Sequence, residues 1–437
     1  RSAGKVFVRW DRGKNMRKIC VIMGGVMPVP AVCGGAIETL ITSIAKQYSS
    51  EDGFALTICS VYHPEAVKAA TQYPAVRFFW THTRSVKNLF LHAIFLGVRM
   101  TTGKYIRSMQ RHYNEIAELF QREKFDLIIA EGGDTQAITD IAKGYHRDQF
   151  VNHVHIHYLP PENIVKNYGH VIGVSEFVTK EYLKVCQMPV RAHVLKNAIN
   201  VERFSRTVSE AQKRSVQTKL GLSEQDFVIL YVGRIIEIKG VLELMQAVTG
   251  LEDNHIKLLI IGSANFGKWA FSPYERKVKK LAEQNRDRII FTGYVDNSEV
   301  YQYASVANVQ CVPSLCKEAA PLVVLEAMAE GLPLIATKSG GAMEYIENST
   351  ALVIERENIA ENLKTAICYM KGHPEERKRM SERARILSKQ YDESAYYQNF
   401  CQLIREILNE NAQNGRDVFL SGERDRGTDE MGIVMGE

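Results

Sequence analysis

A chain of 437 residues, 45% hydrophobic and 24% charged, can bury a sizeable core and is long enough for two or three domains. Its 55 basic and 50 acidic residues leave a net charge of only +5, too little to imply a nucleic-acid partner. Eight cysteines, at positions 20, 33, 59, 186, 311, 316, 368 and 401, form no C-x-x-C pair. Neither a disulfide framework nor a zinc site is therefore expected, and buried free thiols are. No apolar stretch reaches the roughly 18 residues that span a bilayer, and no signal peptide is recognisable, so the expected location is cytoplasmic.

In chain order, residues 1–15 are polar and lead into Met16, which reads as the natural start; the preceding segment is expected to be an added extension. Short apolar runs then recur, each followed by a helical pattern. They are Lys18–Met23, Ala55–Val61, Asp126–Ala130, Gln149–His155, His170–Val174, Val228–Val232, Lys257–Ile261, Arg288–Phe291, Val309–Val312 and Leu334–Ala336. Brief Val- and Ile-rich runs alternating with helix-length segments predict parallel sheets built from βαβ units, an α/β fold. So many strands suit two sheets better than one. The loop Lys196-Asn-Ala-Ile-Asn200 marks the boundary, which predicts Rossmann-like domains over 16–195 and 196–390. A helix over 391–411, with Phe400, Leu403, Ile404 and Leu408 on one face, can pack back on the first domain; the tail 412–437 is expected to be disordered.

The segment from Pro313 to Gly331 carries the chemistry. A strand ends at Val312, Pro321 stands where a helix can begin, and Gly331 stands where it can end. Glu318 then lies on the loop at the carboxyl edge of a sheet, and Glu326 lies one to two turns into the helix. The N–H groups of Leu322, Val323 and Val324 would open towards a phosphate at the helix start, at the edge where open α/β sheets bind ligands. Two carboxylates bracketing that point suit sugar and ribose hydroxyls. On spacing alone, the plainer reading that Glu318 caps the helix and Glu326 merely rides on it stands equally well.

This stretch resembles the E-x7-E segment of the retaining glycosyltransferases of family 4, the GT-B architecture, of the bacterial polysaccharide and cell-wall type. Five further matches follow in the family's order: Gly34-Gly35-Ala-Ile-Glu38; Val174-Ser-Glu-Phe177; Gly233-Arg234 with Lys239-Gly240; Phe291-Thr-Gly-Tyr-Val295; and Glu326 through Pro333 with Ser339-Gly-Gly-Ala-Met-Glu344. The resemblance implies a hexosyl transfer from a nucleoside-diphosphate sugar, a UDP-sugar first, to a glycan or lipid-linked acceptor, with no metal or other cofactor. It places Arg234 and Lys239 at the diphosphate, Glu326 at the ribose, Glu318 at the donor sugar, Tyr294–Val295 at the base, Leu322 and Val323 at the phosphates, and Gly35 beside the transferring sugar. A departing diphosphate needs fixed cations if no metal serves it.

In the same family a histidine often stands near the donor sugar, which makes His155 or His157 of Asn152-His-Val-His-Ile-His157 the candidate; a strand would put the three histidines on one face. Pro321 departs from the glycine most relatives have and removes one N–H donor. Residues 77–114 contain no acidic side chain but include Arg77, Arg84, Lys87, Arg99, Lys104, Arg107 and Arg111 among apolar residues. Such a stretch can lie on an anionic membrane surface, giving a peripheral association, or pack as an ordinary helix. A sugar-nucleotide 2-epimerase of the same architecture and a non-catalytic sugar-nucleotide-binding protein are the rival readings. A nicotinamide dehydrogenase is excluded by the lack of G-x-G-x-x-G after any strand.

Overall fold

The computed structural model describes residues 16–82, 111–133, 135–157, 162–264 and 272–426. The first sheet is built from β1 (Arg17–Met23), β2 (Phe54–Val61), β3 (Arg77–Thr81), β4 (Leu127–Glu131), β5 (Phe150–Val154), β6 (His170–Gly173) and β7 (Arg191–Val194). They lie in the order β3-β2-β1-β4-β5-β6-β7, all parallel. The second contains β8 (Phe227–Val232), β9 (Ile256–Ile261), β10 (Ile289–Gly293), β11 (Val309–Val312), β12 (Leu334–Thr337) and β13 (Ala351–Ile354) in the order β10-β9-β8-β11-β12-β13, again parallel. The predicted α/β architecture with two parallel sheets is thus the one found.

Central strands are apolar throughout because both of their faces are covered. In β1, Ile19, Val21 and Met23 face one layer while Cys20 and Ile22 face the other. The first layer includes the Ala36–Gln47 helix and the last helix of the chain, which contributes Tyr396, Phe400, Ile404 and Ile407. Each such side chain, taken fully out of water, contributes about 1.5–3 kcal/mol. The second sheet is covered in the same way: Ile229 and Tyr231 pack on the Val241–Thr249 helix, and Val228 and Leu230 on the Leu322–Glu330 helix.

Three strands were not anticipated, β3, β7 and β13, and each is a sheet edge. The chain passes between the sheets at Leu195–Ile199 and returns at Tyr391–Glu393, where Ile199 and Asp392 form an isolated bridge. The last helix runs from Glu393 to Arg426, so the expected end at 411 and the disordered stretch immediately after it are corrected: helical geometry continues through 412–426. Residues 1–15 and 427–437 lie outside the described residues.

The basic stretch 77–114 also reads differently. Arg77 sits in edge strand β3 and pairs with Glu123 at 2.6 Å, and Arg111 opens the Arg111–Arg122 helix and pairs with Glu115 at 2.6 Å. Those two charges are met by acidic residues just beyond the window that seemed free of them. Arg84, Lys87, Arg99, Lys104 and Arg107 lie outside the described residues. Among the described residues no helix is long and apolar enough to cross a membrane.

Candidate active site

In each sheet the strand order reverses next to the first strand, between β1 and β4 and between β8 and β11. Loops leaving these strands diverge there and open a crevice at the carboxyl edge. Arg234 and Lys239 follow β8, Glu318 follows β11, Gly35 follows β1 and Glu131 ends β4.

The loop after β8 ends in the short turn Glu237–Lys239, closed by Gly240 at φ +70°. A Cβ at Gly240 would meet the Pro313 carbonyl at 1.9 Å, so only glycine lets the two loops cross. Leu315 donates to the Ile238 carbonyl at 2.9 Å and locks the crossing. As a result Lys239 Nζ stands 2.5 Å from Glu318 Oε1, and the Ser314 hydroxyl stands 2.5 Å from the same oxygen. Glu318 is 9% exposed. Its backbone N–H donates to Ser339 Oγ at 3.0 Å, and that hydroxyl donates to the Cys316 carbonyl at 2.6 Å. Glu318 Oε2 has no partner among the described residues. Burial, and then Glu318, raises the Cys316 thiol, while Lys239 and Arg234 pull it back. Both cations are therefore within electrostatic reach of this loop. Arg234 is exposed, and its guanidinium has no partner among the described residues.

The helix runs Leu322–Glu330, with Pro321 as its N-cap at φ −72°, ψ 118°, one residue earlier than proline's favoured place. Val324 donates to the Pro321 carbonyl at 3.1 Å. The donors left at the helix start are Leu322 and Val323, not all three N–H groups. Gly331 ends the helix at φ +77°. Burial pushes the Glu326 carboxyl up to about 7, moderated by Arg203, and Glu326 has no hydrogen-bond partner among the described residues. One turn on, burial and then Glu326 raise Glu330 well above the carboxylate range.

Tyr294 and Val295 follow β10, whose pairing with β9 shifts register between Phe291 and Gly293. They line a hollow of ≈ 370 Å³ with Thr292, Glu299, Lys219 and Tyr303, and Tyr294 is 50% exposed.

On the first domain, Gly35 caps the Ala36–Gln47 helix at φ +105°. A Cβ there would fall 2.1 Å from Glu38 Oε2, so the glycine makes room for that carboxylate. Burial raises Glu38, and Glu131 raises it further. The histidines do not share one face as a continuous strand would require. β5 stops at Val154; His153 and His155 both turn to Glu131, whereas His157 contacts Glu181 at 3.3 Å and lies 5.3 Å from the Phe177 ring. Only His155 and His153 form a unit.

Sequence reasoning overlooked the contacts that bind the domains together. Glu344 accepts from the N–H groups of Glu176 and Phe177 at 2.8 and 2.7 Å, so a carboxylate of the second domain caps the Glu176–Leu183 helix of the first. The Tyr345 hydroxyl donates to Val174 O at 2.6 Å and accepts from Asn197 N at 2.9 Å. Asn197 Nδ2 donates to the Ala320 carbonyl at 3.0 Å. The motifs Val174-Ser-Glu-Phe177 and Ser339 through Glu344 therefore meet each other across the two domains.

The pattern of the family described as glycosyl transferases group 1 matches residues 212–387. The chain is 25% identical over 368 residues to a putative glycosyltransferase, YtcC, of Bacillus subtilis, covering 80% of this chain and 82% of that protein. It is 25% identical over 337 residues to the lipopolysaccharide 1,2-N-acetylglucosaminetransferase of Salmonella typhimurium, covering 76% and 83%. Among solved structures, HepE of Anabaena in complex with UDP superposes with a TM-score of 0.67 at 17% identity, over 90% of this chain and 100% of that one. A glycosyltransferase of Rickettsia africae gives 0.68 at 20%, over 90% and 99%. Residues 212–387 thus resemble the group 1 glycosyltransferases, and the two Rossmann-like domains give the chain the GT-B fold.

Proposed function

We propose that this protein is a retaining, metal-independent hexosyltransferase that uses a nucleoside-diphosphate sugar, a UDP-sugar first, and a glycan or lipid-linked acceptor in capsule or cell-wall polysaccharide synthesis. The observation that carries this reading is the meeting of Lys239, Ser314 and Glu318 beside Arg234 at the start of the Leu322–Glu330 helix. Cations and free N–H donors gather where a diphosphate would gain charge, and a carboxylate oxygen is left over for a hydroxyl. When the bond from the anomeric carbon to the diphosphate breaks, its electron pair goes to the phosphate oxygen, which Arg234, Lys239 and the N–H groups of Leu322 and Val323 stabilise. An acceptor hydroxyl attacks the same face, and its proton passes to that departing oxygen. Glu318 holds the donor sugar, Glu326 the ribose, and the hollow at Tyr294–Val295 the base.

The Anabaena complex with UDP supports a uridine donor, and the Salmonella relative's name supports a glycan acceptor. Docking on an anionic membrane through residues 77–114 belongs to the same reading and places the protein on the cytoplasmic face. It predicts that neutralising Arg99, Lys104 and Arg107 reduces flotation with anionic vesicles; equal flotation would refute the docking.

The test of the reaction is a screen of UDP, GDP, ADP and dTDP sugars by thermal shift, followed by transfer with chelator present and assignment of the product anomer by NMR. An inverted anomer or a strict metal requirement overturns the corresponding part. An isomerised sugar nucleotide formed from donor alone would favour the epimerase. Binding with no turnover, unaltered by Glu318→Ala, would favour the sensor.

A further inference from the structure

Glu131 has no part in the reaction as set out above, yet it is sealed in the molecule. It ends the otherwise apolar strand β4 at the switch point of the first sheet, and its register partner on β5 is His153. Its Oε1 lies 3.0 Å from His153 Nδ1, and its Oε2 lies 2.6 Å from His155 Nε2. Burial alone would raise this carboxyl; the charge and hydrogen bond of His153, with the bond from His155, overcome burial and hold it at about 2. An ionised carboxylate can only accept, so the imidazole supplies the hydrogen in each bond. The proton of His155 is thereby drawn to Nε2. Nδ1 of His155 is neither bonded nor among the sealed unpartnered atoms of the described residues.

We propose that Glu131 is a positioning residue that fixes His155 as its Nε2–H tautomer, so that the atom His155 presents to the cleft is a hydrogen-bond acceptor. An acceptor suits a hydroxyl of the transferred sugar or of the acceptor, and it repels a phosphate oxygen. This deepens the proposed reaction and rests on it for the identity of the partner. The tautomer itself does not depend on it.

Three further groups bear on the pair. His153 stands beside His155, with ring centroids 4.1 Å apart. Glu38 from the Ala36–Gln47 helix and Tyr396 from the last helix both feel the Glu131 charge. Burial, and then His153, lowers His155 against the pull of Glu131. The second proton accordingly stays off Nδ1 at neutral pH. The same three side chains could also surround a cation, since their ligand atoms lie within 4.8 Å of one another. The 2.6 and 3.0 Å contacts already use both carboxylate oxygens and favour the hydrogen-bonded arrangement.

The experiment is nitrogen-15 NMR of the full chain with labelled histidine, the His155 signals being assigned by their loss in His155→Gln. The expected spectrum at pH 7.5 shows an Nε2–H tautomer. Metal analysis should find no stoichiometric first-row metal. In Glu131→Gln the single amide oxygen can accept from only one of the two histidines while the amide nitrogen donates to the other. The proton should therefore move to the far ring nitrogen of His155 or of His153, and kcat/KM for the sugar nucleotide found in the screen should fall about 10- to 100-fold. An Nδ1–H or doubly protonated His155 in the wild type overturns the proposal, as does a bound metal lost with Glu131. So does a folded Glu131→Gln protein in which both histidine tautomers and kcat/KM are unchanged. If that variant does not fold, the wild-type spectrum decides. If no sugar nucleotide is turned over, the proposed reaction fails while the spectrum still judges the tautomer.

Discussion

Glu326→Gln separates the cost of the site from its use. Burial lifts this carboxyl from 4.5 to about 7, and Arg203 only moderates the rise. A folded-state pKa raised in this way is a penalty: it is absent below about 4.5, grows as the pH rises, and is complete above about 7. A displacement from 4.5 to about 7 corresponds to about 3 kcal/mol. Solvent reaching the partly buried side chain reduces the recoverable part to about 1–2 kcal/mol. Glu326→Gln, isosteric and neutral, should therefore stabilise the ligand-free protein at pH 8 by about that amount and have little effect at pH 5. Ribose hydroxyls would donate to the ionised form. About one eleventh of Glu326 is ionised at pH 6 and about ten elevenths at pH 8, so the affinity for a sugar nucleotide should rise about tenfold over that range. The diester diphosphate of such a donor keeps its charge throughout, which isolates the protein's titration. Calorimetry at pH 6, 7 and 8 on both proteins, with thermal melts, is the assay. A wild-type affinity that is flat with pH, or a variant that is tighter than wild type and no more stable, would refute the reasoning.

Lys239→Ala removes the cation 2.5 Å from Glu318 and should lower kcat about 10²- to 10³-fold, as loss of one group aimed at developing charge does; an unchanged kcat in steady-state assays would contradict this. Glu344→Ala strips the carboxylate cap from the Glu176–Leu183 helix and should cost about 1 kcal/mol in denaturant titration. It should also loosen the domain contact, seen as faster proteolysis near Leu195–Ile199. Tyr345→Phe orphans both the Val174 carbonyl and the Asn197 N–H and should cost about 1–3 kcal/mol, readable in the same titration.

The central strands were plain in the sequence because burial on both faces makes them continuous apolar runs, as in β2 and β4. The three overlooked strands are sheet edges that include half-buried residues, although β3 and β13 still pack apolar side chains on both faces. Their half-buried residues, such as Arg77 and Arg191, carry polar side chains that break the pattern. The segment from Glu318 to Gly331 was legible because loop, helix start and glycine stop are adjacent in the chain. Glu131 and Glu344 were not read as functional because their partners come from elsewhere: His153 across a parallel strand pair, and the Glu176 and Phe177 amides across a domain boundary. One sign was available for Glu131, an acidic residue ending a run of Leu-Ile-Ile-Ala. The histidine arrangement was misjudged because strand alternation was extended past Val154, where β5 stops.

The most direct test of the account is binding of the sugar-nucleotide panel to wild type and to the Arg234→Ala, Lys239→Ala double variant, followed by thermal shift. At 100 times its dissociation constant a donor stabilises the folded state by about 2.7 kcal/mol. The account predicts that at least one nucleoside-diphosphate sugar shifts the wild type to that extent, and that the double variant, folded and equally stable alone, loses the shift. A panel that leaves the wild type unmoved, or a double variant that binds as well as wild type, would contradict it.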